Sequence, residues 1–200
     1  MIVRSLLACI LVLSLSGVVR PQTRARSHAP AGAPAAATSD GLYRNPALGF
    51  AYKIPFGWVD RTPDMQPEHS DSAKAQVLLA VFERPPQASG DTVNSAVIIA
   101  TESLAAYPGL KTAEDYFGAL TEVSAAKGFK VTRTPEAFEV DARTLVRGDF
   151  SRDLGKFQMR QVSLVMLARG SVVSFTFLAG SDEQLDTLIE NLSFSAAKPK

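Results

Sequence analysis

The sequence is poor in the groups that carry out chemistry. Its 200 residues include one cysteine, Cys9, two histidines and a single tryptophan. A lone cysteine excludes an internal disulfide framework. The histidines, His28 and His69, are too few for the usual structural zinc site, which draws on cysteines or several imidazoles. No G-x-S-x-G nucleophile elbow occurs, because Gly170-Ser171 and Gly180-Ser181 fall where a turn and a helix cap are expected. G-x-G-x-x-G and the P-loop pattern are both missing, so no glycine-rich loop is available to cradle a phosphate. The net charge is only +1. A near-neutral chain lacks the broad basic face that nucleic acid requires. No internal repeat is evident.

What is present begins with an address. Arg4 is followed by an apolar run, Ser5 to Leu15, of the length used by signal peptides, with small residues Ser14, Ser16 and Gly17 behind it. Residues 1–19 are expected to be a signal peptide. An uncleaved anchor is the second choice, because Ile2 to Val19 is at the short limit for crossing a bilayer. Cys9 lies inside the apolar run and not after it, so the run does not read as a lipobox. Residues 20–41 are rich in Ala, Pro, Ser and Thr and lack a periodic apolar face. They read as a disordered linker, and His28 within them as incidental. Residues 42–200 read as one globular domain. The 46% apolar content is ordinary for such a domain.

The domain opens at Asn45 to Trp58 (NPALGFAYKIPFGW). Leu48, Phe50, Tyr52 and Ile54 alternate with smaller or polar residues, the period of a half-buried strand. Pro55 ends that strand because it has no N–H for a ladder. Phe56, Gly57 and Trp58 read as an aromatic corner, with Trp58 closing one end of the core. Gln76 to Phe82 and Ser95 to Thr101 read as neighbouring central strands. Thr112 and Asp115 approximate a capping box. Ala113, Tyr116, Phe117, Leu120 and Val123 then share one helical face, and Gly128 closes the helix.

Phe129 to Thr134, Ala137 to Val140 and Arg143 to Ser151 read as strands, the last two joined at Asp141-Ala142. Lys156 to Ala168 and Ser171 to Ala179 read as a hairpin around Arg169-Gly170. Ser181 and Gln184 form a second capping box. Leu185, Leu188, Ile189 and Leu192 make an i, i+3, i+4, i+7 stripe. Strands joined by short turns imply a mainly antiparallel sheet covered by two amphipathic helices, an α+β fold.

The segments YRNPALGFAYKIPFGW and SFTFLAGSDEQLDTLIENLSF, with Pro55, Gly57, Trp58 and the closing Leu192-Ser193-Phe194, resemble the PsbP-like superfamily over Leu42 to Phe194. That superfamily includes photosystem II extrinsic proteins, a Ran-binding import factor and uncharacterised exported bacterial proteins. The resemblance implies an α/β/α sandwich and a role in binding proteins or supporting assembly, without catalysis. It assigns no site residue.

Three groupings merit a chemical reading. Glu68, His69 and Asp71 form an acidic loop with too few ligands for a specific metal. Glu102 and Asp149 are candidates for a carboxylate pair, although each reads more simply as a surface or ion-paired group. Arg143, Arg147, Arg152 and Arg160 suggest a basic stripe, balanced by Asp149 and Asp153. The expectation is therefore an exported, non-enzymatic domain without cofactor, metal or nucleic-acid partner. It is expected to bind a protein partner in the cell envelope, secreted or periplasmic, through a sheet edge or the loops at Pro63–Pro67 and Pro85–Pro86. Membrane contact is expected only through an uncleaved N-terminal segment. The alternative is a periplasmic carrier of a small apolar or anionic ligand held between sheet and helix, and a hydrolase ranks third.

Overall fold

The computed structural model describes residues 37–67, 75–85, 87, 88 and 90–194. The strongest β-forming segments build its centre. Ala75–Phe82 (β5), Ala96–Ser103 (β6), Gln158–Ala168 (β9) and Ser171–Ala179 (β10) are rich in Val, Ile, Leu and Phe, the residues that fit a pleated, buried surface. With Val59–Asp60 (β4), Lys130–Val140 (β7) and Arg143–Asp153 (β8) they form a seven-stranded sheet of order β4-β5-β6-β10-β9-β8-β7. Every pairing in it is antiparallel. The β9–β10 hairpin turns at Arg169 (φ 50°) and Gly170 (φ 77°), the positive-φ pair that matches the twist of the flanking strands.

A second sheet was not expected. Ala37–Ser39 (β1), Leu42–Asn45 (β2), Phe50–Lys53 (β3) and Leu192–Phe194 (β11) pair in the order β1-β2-β3-β11. Leu192, read from its spacing as the end of a helical stripe, is instead a strand residue opposite Tyr52. Pairing so distant in sequence leaves no local signature. The stretch read as linker to Gly41 enters the fold at Ala37, which pairs with Arg44 across the Asp40-Gly41 turn. The opening strand is also shorter than its alternation suggests. Leu48 and Gly49 donate backbone N–H to Asn45 and form the turn before Phe50.

The two faces of the large sheet carry separate cores. On one, Asp182–Glu190 (α2) and the small sheet cover Leu79, Val97, Leu164 and Phe175. Phe50 meets Phe175 edge-on, with ring centroids 5.0 Å apart, and Phe194 completes the cluster at 6.0 Å from Phe175. The Tyr52 hydroxyl, fully buried, donates to the Leu188 carbonyl at 3.1 Å and ties the small sheet to α2. On the other face, Tyr116–Ala126 (α1) packs Tyr116, Phe117 and Leu120 onto Ala80, Ile98 and Val165. This is the expected α+β sandwich, with the small sheet added beside α2.

The helix starts agree only in part with the two capping boxes. Thr112 and Asp115 do exchange the two hydrogen bonds of a capping box, yet the regular helix begins one turn later at Tyr116. Ser181 caps α2 by accepting from Gln184 N–H, while the Gln184 side chain reaches back to Gly180 instead of Ser181. Gly128 follows α1 with φ 84°, as expected of a C-terminal cap. Trp58 is half-buried against the core, as an anchor should be. Its neighbour Phe56 is fully exposed and takes no part in the expected corner.

Candidate functional site

Sheet parity decides the fate of the sequence candidates. Glu102 sits on β6 with Ile98 and Ala100, on the α1 face. Asp149 sits on β8 with Leu145 and Arg147, on the α2 face. The two carboxyls stand on opposite sides of the sheet and do not form a pair across a cleft. Glu102 is buried, and its carboxylate accepts from the Tyr107 hydroxyl and, at 2.6 Å, from the Tyr116 hydroxyl. The two rings meet edge-on at 5.4 Å. Burial first, and the Glu102 carboxylate with it, pushes both phenols above their ordinary range. The cluster pins Tyr107 and the first turn of α1 to β6. Among the described concavities, none reaches it.

The arginines do not make a stripe. Arg147 holds Asp149 through two hydrogen bonds, at 2.8 and 3.0 Å, and lies over the Phe138 ring. Arg143 lies over Phe194, and Arg160 pairs with Asp182 at 2.9 Å. Arg152 projects to the opposite face, beside Gly128. Glu68, His69 and Asp71 lie outside the described residues, as does Pro86 of the second proline loop. Among the described residues, no three His, Cys, Asp or Glu side chains are grouped to hold a metal, and no helix is long and apolar enough to cross a membrane.

Among the described residues, two surface concavities lie near the ends of α1. One, of about 400 Å³, lies at its C-terminal end over Phe129, Met159 and Leu178, with Lys127 and Arg152 at its rim. The other, of about 280 Å³, lies near Ala113, Thr144 and Leu167. Both open broadly to solvent, unlike the enclosing pocket that a small-molecule carrier calls for.

The outer edge of β7 is the feature of this surface that sequence reading marked only in general terms. Among the described residues, β7 ends the strand order of the large sheet and has β8 as its one strand neighbour. Its two halves differ. From Val131 to Glu136 the register against β8 shifts twice, once between Val131 and Arg133 and again between Arg133 and Glu136, where Thr134 and Pro135 lie. Arg133 there bonds Glu136 at 2.7 Å and Asp149 at 3.2 Å. Irregularity, proline and charge are devices that blunt an edge against indiscriminate pairing. From Glu136 to Val140 the register is regular, residue for residue against Arg147 to Arg143, and Ala137 and Glu139 are exposed. The far end of this hairpin is held rigidly, because the Asp141 carboxylate accepts from Phe194 N–H at 2.8 Å. Five residues of straight strand, whose outer side pairs with no described strand, therefore end at a hairpin that is bonded to β11.

No family model matches the chain, and no curated protein matches it. Among solved structures it is similar to cyanobacterial PsbP (CyanoP) from Synechocystis sp. PCC 6803, at 19% identity and TM-score 0.49, over 84% of this chain and 100% of that one. It is also similar to LpqN, a protein involved in cell envelope biogenesis of Mycobacterium tuberculosis, at 12% identity and TM-score 0.37, over 74% and 83% of the two chains. A third likeness is to the Saccharomyces cerevisiae Ran-binding protein Mog1p, at 9% identity and TM-score 0.43, over 73% and 90%. Two of these proteins are of the kinds that the sequence resemblance names. At these identities the likeness is one of fold alone.

Proposed function

We propose that this chain is an exported, non-catalytic domain that binds a protein partner in the cell envelope, in an accessory or assembly role. The observation that carries the reading is the open, regular edge of β7 at Glu136–Val140. An extended partner segment adds to such an edge through main-chain hydrogen bonds, with side-chain contacts setting specificity. The four tyrosines whose pKa values burial raises line neither described concavity, which favours binding over catalysis. Export rests on Arg4 and the apolar Ser5 to Leu15 run.

A photo-crosslinking amino acid placed at Glu139 in the full chain, expressed in its own host, tests the edge. The expected result is a discrete protein adduct from position 139 and none from position 187, on the exposed side of α2. Adducts from position 187 alone, or none from 139, would remove β7 as the partner surface.

A further inference from the structure

The end of the molecule formed by the β8–β9 turn carries a surface that the partner edge does not use. Four large apolar side chains are notably exposed among the described residues, and three of them lie here: Val131 at 45%, Leu154 at 40% and Phe157 at 36%. Register brings them to one end of the sheet. Val131 stands opposite Phe150, Lys130 opposite Ser151 and Arg152 opposite Met159. The Leu154 N–H bonds the Phe157 carbonyl at 2.8 Å and closes the turn between them. Every residue from Arg152 to Gln158 is exposed, so Leu154 and Phe157 project from an exposed turn.

Basic residues outnumber acidic ones at this end. Residues 127–133 and 152–160 contain Lys127, Lys130, Arg133, Arg152, Lys156 and Arg160 against a single acid, Asp153. Arg133 and Arg160 are held in ion pairs. Lys130, Arg152 and Lys156 form no ion pair among the described residues. Asp153 is occupied in shaping the turn, its carboxylate accepting from Gly155 N–H at 2.7 Å. In a chain of net charge +1 this is a marked local concentration.

We infer that this tip docks on an anionic phospholipid surface. Leu154 and Phe157 enter the headgroup–acyl boundary, and Lys130, Arg152 and Lys156 sit behind them at the depth of the lipid phosphates. Apolar side chains ringed by basic ones are what an interfacial membrane contact requires. An exposed turn that carries two apolar side chains suits a deformable plane. The long basic side chains can extend along the turn and keep their charges at the headgroups. The contact is separate from the N-terminal segment and leaves the regular half of β7 free.

The test is hydrogen-exchange mass spectrometry on the full chain with two vesicle preparations. One is phosphatidylcholine alone. The other is phosphatidylcholine and phosphatidylglycerol in equal parts. Slowed exchange is expected at residues 127–131 and 152–158 with the anionic vesicles alone, and it should fade as salt is raised. Lys130→Gln with Lys156→Gln should weaken anionic-vesicle binding about thirtyfold, at about fivefold per charge. Both side chains are exposed, so the variant should keep the parent's melting temperature. Vesicle binding without protection at the tip would assign membrane contact to the N-terminal segment and overturn the inference. Protection by soluble polyglutamate but not by vesicles would overturn it too, in favour of an acidic polypeptide.

Discussion

Gly148 shows how one residue type permits a whole interface. It faces α1 from the middle of β8, and a methyl group there would stand 2.5 Å from Phe117 Cε1. The absence of a side chain lets the buried Phe117 ring lie directly on the sheet. Gly148→Ala should force that ring or the helix to shift and cost about 1–3 kcal/mol, the usual penalty of overpacking. Chemical denaturation measures it, and an unchanged midpoint would show that α1 sits loosely. Nothing in the sequence near Gly148 announces this role, because its partner is 31 residues away and on another element. Glu102 is a similar case. Its strand reads as apolar, and only the fold brings Tyr107 and Tyr116 to its two oxygens. Gln161 is buried beneath α1, donates to Ser163 at 3.1 Å, and leaves its carbonyl oxygen without a hydrogen bond. The sequence marks none of these as special.

Helices and hairpins were the most legible part of this chain, because their signals are local. The stripe Leu185, Leu188 and Ile189 is buried as its spacing requires. Ser181 occupies the N-cap with extended backbone and accepts from Gln184 N–H at 3.3 Å. Ser181→Ala should cost about 1 kcal/mol by leaving that N–H unsatisfied. Thermal unfolding reads the loss, and a Ser181→Asp variant should restore stability because aspartate caps as well. Alternation was less reliable. In β5 the register shifts between Val77 and Leu79. Val77 therefore joins the α1-side core while Leu79 joins the α2-side core. A bulge of this kind reverses the facing of everything before it, and no pattern in QVLLAVF reports it. Likewise β7 continues through Pro135, which a reading of breakers divides into two strands. An outer strand tolerates proline because one side of its ladder is unpaired.

In the whole molecule, the four tyrosines become a probe of cooperativity. Tyr43, Tyr52, Tyr107 and Tyr116 are all of the tyrosine in the chain. Burial raises each above the ordinary 10.0. Their contribution to stability is fully present below the unfolded value near pH 10. It is lost as pH climbs above that value, since the unfolded chain releases phenolic protons that the folded one retains. An absorbance titration of phenolate should therefore stay flat through pH 10 and rise in one step together with loss of secondary structure. A gradual rise while the fold persists would mean that at least one tyrosine is open to solvent. The tyrosines also span the two cores, with Tyr43 and Tyr52 between the sheets and Tyr116 under α1, so a single step would show both cores failing together. What the sequence determined by itself was the class of fold and most of its elements. Strand period, helical stripe, caps and turns are set by neighbours within a few residues. Tertiary structure alone decided that Leu192–Phe194 would join Phe50–Tyr52 in a second sheet and that Glu102 and Asp149 would face apart. It also decided which arginines would be neutralised, and that β7 would lie at the edge with its last five residues straight and open. Each of these depends on which distant strands become neighbours, and that is settled by the burial of both faces of the sheet at once.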